Sequence, residues 1–384
     1  MRKTLPAICS ILLAFPLHAA TVIDVVGRGN AKDTVSIKVD GVSSAIFAKT
    51  LKKNLELSGC FLVGDGGAIS VSGTVGGEVS ASGRGKVLRF TEQASDDASA
   101  RMAARKLSDS ICETFAGQKG FACDKVVFLS RKGPDKAELC TCYPDGQDIK
   151  QITADGKAAV GPRWKDGNTV LYTGFVNGGP EIWEIDVNTG RHKPRWNFKG
   201  LSTGAAVSPD GTKAAIILSF QGNPELYVID MASSRWQRMT NTPNASEGQP
   251  AWSPDGKKIV YVSDESRHPQ LYIVDVATKS SRRLTSKGTQ NVDPDWGGDG
   301  RIAYTTKRGG QSQIAVIDPA EGEASARLVT GPGSWERPSW ARDMRHVVAG
   351  RDKALFVVDT LEDGDEARQL FVSSGNWCNA SWSK

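Results

Sequence analysis

One stretch of the sequence carries the spacing of a serine nucleophile. The residues Gly200-Leu201-Ser202-Thr203-Gly204 match the Gly-x-Ser-x-Gly pattern, which presents a serine hydroxyl at a sharp turn between a strand and a helix. A Pro-Asp-Gly turn follows this stretch, where a nucleophile elbow requires a helix. A hydrolase of this type also needs a separate catalytic domain, and no part of the sequence is left over to build one. We therefore expect Ser202 to be non-catalytic.

The other residue types that support catalysis, cofactor binding or metal binding are sparse. The pair Gly27 and Gly29 lacks the third glycine of a dinucleotide-binding loop. Cys140 and Cys142 are too close together for a zinc knuckle, and no histidine cluster accompanies them. The histidines outside the N-terminal leader are widely spaced: His192, His268 and His346. We expect no catalytic residue, no metal and no cofactor. A calcium ion in the channel is the alternative for the metal, and acid–base chemistry by Asp or Glu side chains is the enzymatic alternative.

The length and composition fit a globular protein of two domains. The chain has 384 residues, of which 39% are apolar and 24% are charged, and a single hydrophobic core seldom grows beyond about 250–300 residues. The net charge of +5 is too small to predict a nucleic-acid partner. The composition also excludes a disordered, collagen-like or coiled-coil chain.

Residues 1–20 have the pattern of a secretory signal peptide. Basic residues precede an apolar run at residues 5–17, and the small residues Ala19 and Ala20 follow it. The run is shorter than the roughly 20 residues that span a bilayer, and no later run reaches that length. We therefore predict cleavage after Ala19 or Ala20, and an exported protein without direct membrane insertion.

A unit of 42 to 45 residues recurs along the second part of the chain. In each complete unit a short strand ends at an anchor residue, a turn resembling Pro-Asp-Gly follows, and three more strand patterns complete the unit. Four strands in about 40–45 residues is the size of one propeller blade. Each anchor is expected to fill the same packing position in its blade: Trp164, Val207, Trp252, Trp296, Trp340 and Trp382.

The ends of the repeat region predict how the ring closes. The strand at Trp382 lacks the later strands of its unit, whereas residues 124–153 contain three strands that lack a first one. Joining the two parts completes a sixth blade and removes every open sheet edge. The sequence therefore predicts an all-β six-bladed β-propeller at residues 121–384, closed by the C-terminal strand.

Residues 21–120 predict a different fold, a small N-terminal α/β domain. Strand patterns alternate there with two amphipathic helices, of which the first begins at Ser43 or Ser44 and the second at Ser95. Because both helices carry one apolar stripe, we expect them to cover one face of a single sheet.

Six cysteines lie outside the leader, and an even number in an oxidising compartment predicts disulfides. Their pairing cannot be read from the sequence. Cys60 follows the first predicted helix and Cys112 lies in the last turns of the second, so two helices on one sheet would bring them together. Cys60–Cys112 is the predicted pair among Cys60, Cys112, Cys123, Cys140, Cys142 and Cys378.

A propeller presents the loops before its innermost strands on one face, and loops held by a rigid scaffold often carry binding residues. We call these segments the loop face: residues 201–205, 244–249, 289–293, 334–337 and 375–379. Trp335 and Trp377 fall outside the anchor positions, so we expect them to be exposed there, and exposed Trp and Arg are frequent interface residues. Ordinary solvated loops are the alternative. The predicted partner-binding residues are Thr203, Glu247, Gln249, Asn291, Trp335, Glu336, Arg337, Asn376 and Trp377.

Two stretches of the sequence resemble the TolB family of periplasmic envelope proteins. Residues 48–63 (AKTLKKNLELSGCFLV) are similar to that family's helix-to-strand segment, and residues 104–130 (ARKLSDSICETFAGQKGFACDKVVFLS) are similar to its interdomain junction. The Pro-Asp-Gly blades are shared as well, in the expected order along nearly the whole chain. The resemblance implies a binding protein rather than an enzyme, and we expect a monomer.

The resemblance also implies two partners within the Tol-Pal system, which supports outer-membrane integrity and cell division. Family members bind Pal, the peptidoglycan-associated lipoprotein, through one propeller face, and TolA, an inner-membrane protein, through the N-terminal segment. That segment would either add a strand to a partner's sheet or complete the protein's own sheet. Its residues here are Thr21, Val22, Ile23, Asp24 and Val25.

Two other functions stay open from the sequence. One is a TolB-like propeller outside the Tol-Pal system that binds another envelope protein or a peptidoglycan fragment. The other is a propeller lyase or hydrolase with acidic residues at the mouth of its channel.

Overall fold

The computed structural model describes residues 32–133, 135–196, 198–361, 367–371 and 375–383. The predicted signal peptide at residues 1–20 and the predicted partner-binding residues 21–25 lie outside these ranges, so both stay predictions. From Asp33 onward the chain forms one unit. Within the described residues no helix is long and apolar enough to cross a membrane.

The N-terminal part is an α/β layer with two helices and a five-stranded sheet. Its strands, in the sheet order β2-β1-β3-β4-β5, are β1 (Asp33–Gly41), β2 (Phe61–Val63), β3 (Ile69–Val75), β4 (Glu78–Gly83) and β5 (Lys86–Thr91). The helices are α1 (Ser44–Leu57) and α2 (Asp97–Ile111), and a π-helical turn (Cys112–Ala116) extends α2. The N-cap of α2 is Asp96 rather than the predicted Ser95, because the Asp96 carboxylate accepts from the Ser99 backbone N–H at 2.8 Å.

The helices and the sheet share one apolar core. The strand β1 runs parallel to both β2 and β3, while β3, β4 and β5 form an antiparallel meander. The apolar stripes of the helices are buried against one sheet face, as the sequence predicted. They include Phe47, Leu51 and Leu55 from α1 and Ala100, Ala104 and Leu107 from α2.

Six four-stranded antiparallel sheets form the propeller, and each has its innermost strand first in the following order. The first blade contains β29 (Trp377–Trp382), β6 (Val126–Gly133), β7 (Lys136–Cys142) and β8 (Lys150–Gln151). The second contains β9 (Ala159–Trp164), β10 (Thr169–Gly174), β11 (Glu181–Asp186) and β12 (His192–Pro194). The third contains β13 (Ser202–Val207), β14 (Lys213–Leu218), β15 (Glu225–Asp230) and β16 (Trp236–Arg238).

The last three blades follow the same order. The fourth blade contains β17 (Glu247–Trp252), β18 (Lys258–Ser263), β19 (Gln270–Asp275) and β20 (Ser281–Arg283). The fifth contains β21 (Gln290–Trp296), β22 (Ile302–Arg308), β23 (Gln311–Ile317) and β24 (Arg327–Leu328). The sixth contains β25 (Glu336–Trp340), β26 (His346–Arg351), β27 (Ala354–Asp359) and β28 (Arg368–Gln369). A short 3-10 helix (Gly322–Ser325) precedes β24.

The C-terminal strand closes the ring, which confirms the predicted fold class. The strand β29 pairs antiparallel with β6, with Trp377 opposite Ser130 and Trp382 opposite Val126. The last strand of the chain is thus the innermost strand of the first blade. In the other five blades the strands are neighbours in sequence order, so this one long-range pairing closes the propeller.

The turns after the anchors have the chemistry that the sequence predicts. In the fourth blade the Ser253 hydroxyl donates to the Asp255 carboxylate at 2.6 Å. The same carboxylate also accepts from the Lys257 backbone N–H at 3.1 Å. Gly256 has a φ of 67°, a left-handed conformation that glycine adopts without strain. Each such turn reverses the chain between the first and second strands of its blade. We call the face formed by these turns the turn face.

A buried ion pair joins the helices to the first blade. The Arg105 guanidinium on α2 donates to both oxygens of Asp145, at 2.8 and 3.1 Å, and lies over the ring of Tyr143. Asn54 on α1 donates to the same carboxylate at 3.1 Å. Arg105 and Asp145 are both 0% exposed, so breaking this contact would leave a buried charge without its partner.

The predicted Cys60–Cys112 disulfide is wrong, because all six cysteines in the described residues are free thiols. The Cys60 sulfur lies 3.4 Å from the Ser58 carbonyl oxygen and 3.6 Å from Nη1 of Arg345. Burial raises the pKa of the Cys112 thiol well above its ordinary value. Two helices on one sheet bring the residues near each other, but a disulfide also needs a specific orientation of both side chains, which helix packing does not provide.

Candidate functional site

A ring of left-handed residues surrounds the propeller channel. Each innermost strand has a register shift at one point in its pairing with the second strand, and the residue three positions before each anchor has a φ between 51° and 68°. These bulges re-aim one residue per blade toward the axis. The six residues are Gly161, Gly204, Gln249, Asp293, Arg337 and Asn379, and all of them line one narrow cavity.

One side of this ring is a connected polar chain. The Gln249 amide donates to the Asp293 carboxylate and accepts from the Asp293 N–H at 2.9 Å. Asp293 Oδ2 accepts from the Thr305 hydroxyl at 3.2 Å, and Arg337 Nε lies 3.7 Å from Asp293 Oδ1. Gly161 and Gly204 occupy the opposite side, so this connected polar chain lies on the fourth, fifth and sixth blades, and Asn379 of the first blade is the remaining polar member of the ring.

A buried carboxyl group lies beside this chain at the loop face. Glu247 is 5% exposed and accepts from the Thr242 hydroxyl at 2.8 Å and the Ser263 hydroxyl at 3.0 Å. Its other oxygen has no hydrogen-bond partner among the described residues. Burial, followed by the nearby Glu225 carboxylate, raises the pKa of Glu247 to about 7. Burial likewise raises the pKa of Glu336 above its ordinary value, so the loop face carries carboxyl groups that hold protons unusually tightly.

The predicted partner-binding residues of the loop face divide into two groups. Six are partly exposed and three are buried. The partly exposed ones are Thr203, Gln249, Glu336, Arg337, Asn376 and Trp377, and the buried ones are Glu247, Asn291 and Trp335. Whether they contact a partner stays a prediction.

The expectation that Trp335 is exposed is wrong. Its side chain is 2% exposed, packs edge-on against Phe356 at 5.4 Å between ring centroids, and lies under the Arg351 guanidinium. Trp377 is partly buried against Phe371, with centroids 4.5 Å apart. Both rings stabilise their blades, so Arg337 and Glu336 are the larger groups that the loop face offers to a partner.

Sequence reasoning missed Asp293 and Asn379 of the ring, and it missed an ion pair below them. Arg163 Nη1 lies 3.1 Å from Asp295 Oδ1 on the far side of the channel. A signal for the ring was present, since Gly, Asp and Asn, which tolerate a positive φ, recur three residues before the anchors. The described part of the chain has no cluster of three His, Cys, Asp or Glu side chains that could hold a metal ion.

Comparison with known proteins supports the same architecture. Residues 112–384 match the family model of the TolB beta propeller domain. The chain is 27% identical over 165 residues to the Tol-Pal system protein TolB of Gluconobacter oxydans, covering 42% of this chain and 36% of that protein. It is 32% identical over 187 residues to the TolB homolog of Chlorobium chlorochromatii, covering 46% and 42%. The matches thus span about two fifths of the length of these curated relatives.

A solved structure is similar along nearly the whole chain. TolB from Acinetobacter baumannii superposes with a TM-score of 0.81 at 23% identity, covering 92% of this chain and 97% of that one. At this identity the likeness concerns the fold.

Proposed function

This chain belongs to the TolB β-propeller family, and on that premise we propose that it is a non-enzymatic periplasmic scaffold of the Tol-Pal system. Its loop face would bind the peptidoglycan-associated lipoprotein Pal, and its N-terminal segment would bind TolA. Such a scaffold would support outer-membrane integrity and cell division. The names of the curated relatives and the polar ring at the loop face support this proposal.

The observation that carries the Pal proposal is the asymmetric polar chain at the centre of the loop face. Arg337 is 36% exposed at its side chain, and its Nε is held 3.7 Å from the Asp293 carboxylate. An arginine that is already oriented loses little conformational freedom when a partner binds it. Glu336 lies beside it on the same strand, so this strand offers one cation and one acid to a complementary surface.

Calorimetric binding of the mature protein to the periplasmic domain of Pal from the same organism tests the proposal. We expect saturable one-to-one binding that weakens at least tenfold in Arg337→Glu and Glu336→Lys. The matched control is Lys257→Glu on the turn face, which should bind like the wild type. Equal weakening by the control would place the interface elsewhere. Absence of binding at high micromolar concentration would transfer the function to another envelope partner.

The TolA contact needs a separate test, because its predicted residues precede the described chain. Deleting residues 21–31 from the mature protein should abolish binding to the periplasmic domain of TolA and leave Pal binding unchanged. Retained TolA binding would contradict the N-terminal assignment and leave the Pal assignment intact.

A further inference from the structure

Two buried acids meet where the third blade joins the fourth. Glu225 is the first residue of β15 and Glu247 the first residue of β17, and they are 1% and 5% exposed. The Thr242 hydroxyl oxygen lies 3.3 Å from Glu225 Oε2 and 2.8 Å from Glu247 Oε1. Two carboxylates buried on one hydroxyl group repel each other, because charges interact strongly in the protein interior. The arrangement therefore favours a proton on one of the two acids.

The donors around the pair assign that proton to Glu247. Glu225 Oε1 accepts from Arg238 Nη2 at 2.8 Å and from the Thr242 backbone N–H at 2.7 Å. Burial disfavours the charged form of Glu225, but hydrogen bonds from Thr240, Thr242 and Arg238 outweigh burial and lower the pKa of Glu225. Glu247 has no cationic partner among the described residues, and its Oε2 has no hydrogen-bond partner there. Glu225 is thus the charged member of the pair.

A proton on Glu247 completes the hydrogen bonds at Thr242. The Thr242 hydroxyl has one proton and two carboxyl oxygens within reach. When Glu247 is ionised, Thr242 donates to it and faces Glu225 without a proton. When Glu247 is protonated, it donates to Thr242, and Thr242 donates to Glu225. The unpartnered Oε2 also costs less on a neutral carboxyl group than on a buried carboxylate.

The next junction along the ring has the same construction with neutral side chains. Asn291 has the position of Glu247 relative to its anchor, and both backbone N–H groups donate to a proline carbonyl, of Pro269 and Pro224 respectively, at 2.9 Å. The Asn291 amide donates to Gln270 Oε1 at 2.7 Å. Amides do not titrate. The fold therefore does not require acids at this position, and their presence at the third-to-fourth junction makes that junction sensitive to protons.

The connection between β16 and β17, residues 239–246, is held mainly by side chains. The Asn223 amide donates to the Thr242 carbonyl at 2.6 Å. The Ser246 N–H donates to the Asp264 carboxylate at 2.8 Å. Because the two acids share the Thr242 hydroxyl, repulsion between them acts directly on this connection. The connection runs onto the loop face, where residues 244–249 form one of the loops.

The other ionisable groups packed around Glu247 are already bonded, deeply buried or exposed. Arg238 of β16 lies 2.8 Å from the other acid, and Asp264 after β18 accepts a backbone N–H of the connection. Burial raises the pKa of Tyr261 on β18 far above neutral pH, and Asp293 of β21 belongs to the polar ring. Burial, followed by the neighbouring acid, raises the pKa of Glu247 itself to about 7. Glu247 is therefore the group here whose charge changes near neutral pH.

We propose that Glu225 and Glu247 form a proton-operated latch for residues 239–246. With Glu247 protonated the connection is closed, and with Glu247 ionised it opens and weakens partner binding at the loop face. The route to the partner is β17, which carries Gln249 two residues after Glu247, and Gln249 holds Asp293 in the polar ring. The effect on binding rests on the function proposed for the loop face, whereas the opening is a property of the free protein.

Hydrogen exchange in the full mature protein tests the opening. The amides of residues 239–246 are measured at pH 5 and pH 7.5, as protection relative to an unstructured peptide at the same pH. A carboxyl pKa of about 7 when closed and near 4.5 when open changes the opening equilibrium by up to about sixtyfold between these pH values. We expect protection to fall at least tenfold in the wild type and less than twofold in Glu247→Gln. The matched control Glu265→Gln, an exposed acid of the same blade, should follow the wild type.

Calorimetric titration with the periplasmic domain of Pal at the same two pH values tests the effect on binding. We expect the wild type and Glu265→Gln to bind at least fivefold more weakly at pH 7.5, and the two dissociation constants of Glu247→Gln to agree within twofold. Pal binding that weakens equally in Glu247→Gln would overturn the regulation. Unchanged wild-type protection, or an equal loss in Glu247→Gln, would overturn the latch. A pH-dependent loss of protection without Pal binding at either pH would support the latch and contradict the function proposed for the loop face.

Discussion

Arg163 Nη1 lies 3.1 Å from Asp295 Oδ1, and this contact joins innermost strands on opposite sides of the propeller, 132 residues apart in the chain. Asp295 is 4% exposed and also accepts from the backbone N–H of Trp340 at 2.8 Å. The pair therefore fastens the second, fifth and sixth blades to one another and divides the channel into two compartments.

Removing this contact should destabilise the propeller. In Arg163→Ala the buried Asp295 carboxylate loses the guanidinium that lies 3.1 Å from its Oδ1, and we expect a loss of about 2 kcal/mol in the free energy of unfolding. Urea denaturation measures it. Adding Asp295→Asn should recover part of the loss, because the buried negative charge is then removed. Arg84→Ala, which breaks an ion pair at an exposed arginine, is the control and should cost less than about 1 kcal/mol. Equal losses of unfolding free energy in Arg163→Ala and Arg84→Ala would contradict a structural role for the Arg163–Asp295 ion pair.

The contact between the helices and the first blade should matter more. Because Arg105 and Asp145 are both fully buried, Arg105→Ala should lower the free energy of unfolding by roughly 3–5 kcal/mol. Arg105→Lys should not restore it, since an ammonium group cannot make the bidentate contact. The control is Arg101→Ala on the same helix, whose side chain is 23% exposed. If Arg101→Ala were equally damaging, the helix surface in general rather than this buried pair would hold the two parts together.

The raised pKa of Glu247 predicts a pH-dependent stability. Between its ordinary value near 4.5 and about 7, the folded protein holds a proton that the unfolded chain has released. Stability attributable to this group therefore falls as the pH rises through that window. Glu247→Gln should abolish the fall and make the protein more stable than the wild type by about 2 kcal/mol at pH 8. Chemical denaturation from pH 4 to pH 8 measures both curves.

The matched control for this pH dependence is Glu265→Gln, which removes an exposed carboxyl group of the same blade. Its stability curve should follow that of the wild type. The opposite result would be a wild-type stability that rises from pH 5 to pH 7, with no such rise in Glu247→Gln. It would show that folding stabilises the charged carboxylate, contrary to the structure.

The free thiols predict an insensitivity to reductant. The six described cysteines are unpaired, so dithiothreitol should leave the thermal unfolding midpoint unchanged. Alkylation after unfolding without reductant, followed by mass spectrometry, should modify all six. Recovery of fewer modified cysteines together with a lower midpoint in dithiothreitol would show that the protein forms a disulfide.

Much of the fold could be read from the sequence because its signals are local. The Pro-Asp-Gly turns, the alternation of β-branched residues and the regular spacing of the anchors each depend on a few neighbouring residues. Even the closure of the ring followed from counting, since an incomplete first unit and an incomplete last unit complement each other. The helix start shifted from Ser95 to Asp96 because both residue types cap helices and only the hydrogen bond to Ser99 chooses between them.

The candidate site could be predicted only in part. The sequence indicated which loops share a face, but it could not show that Trp335 turns inward onto Phe356 while Arg337 stays partly exposed. Phe356 and Arg351, which cover the Trp335 ring, belong to later strands of the same blade, so the residues next to Trp335 in the sequence do not show that it is buried. The same limit made the Cys60–Cys112 disulfide wrong, because proximity of two helices does not determine the orientation of two thiols.

The sequence by itself therefore determined the number of blades, the closing strand and the break in the repeat at Val207. Only the tertiary structure decided that Arg163 reaches Asp295 across the axis and that Glu247 is buried beside Glu225. The physical reason is that backbone repeats arise from local conformational preferences. Cavities, ion pairs and shifted pKa values arise from side chains that meet only when the ring closes.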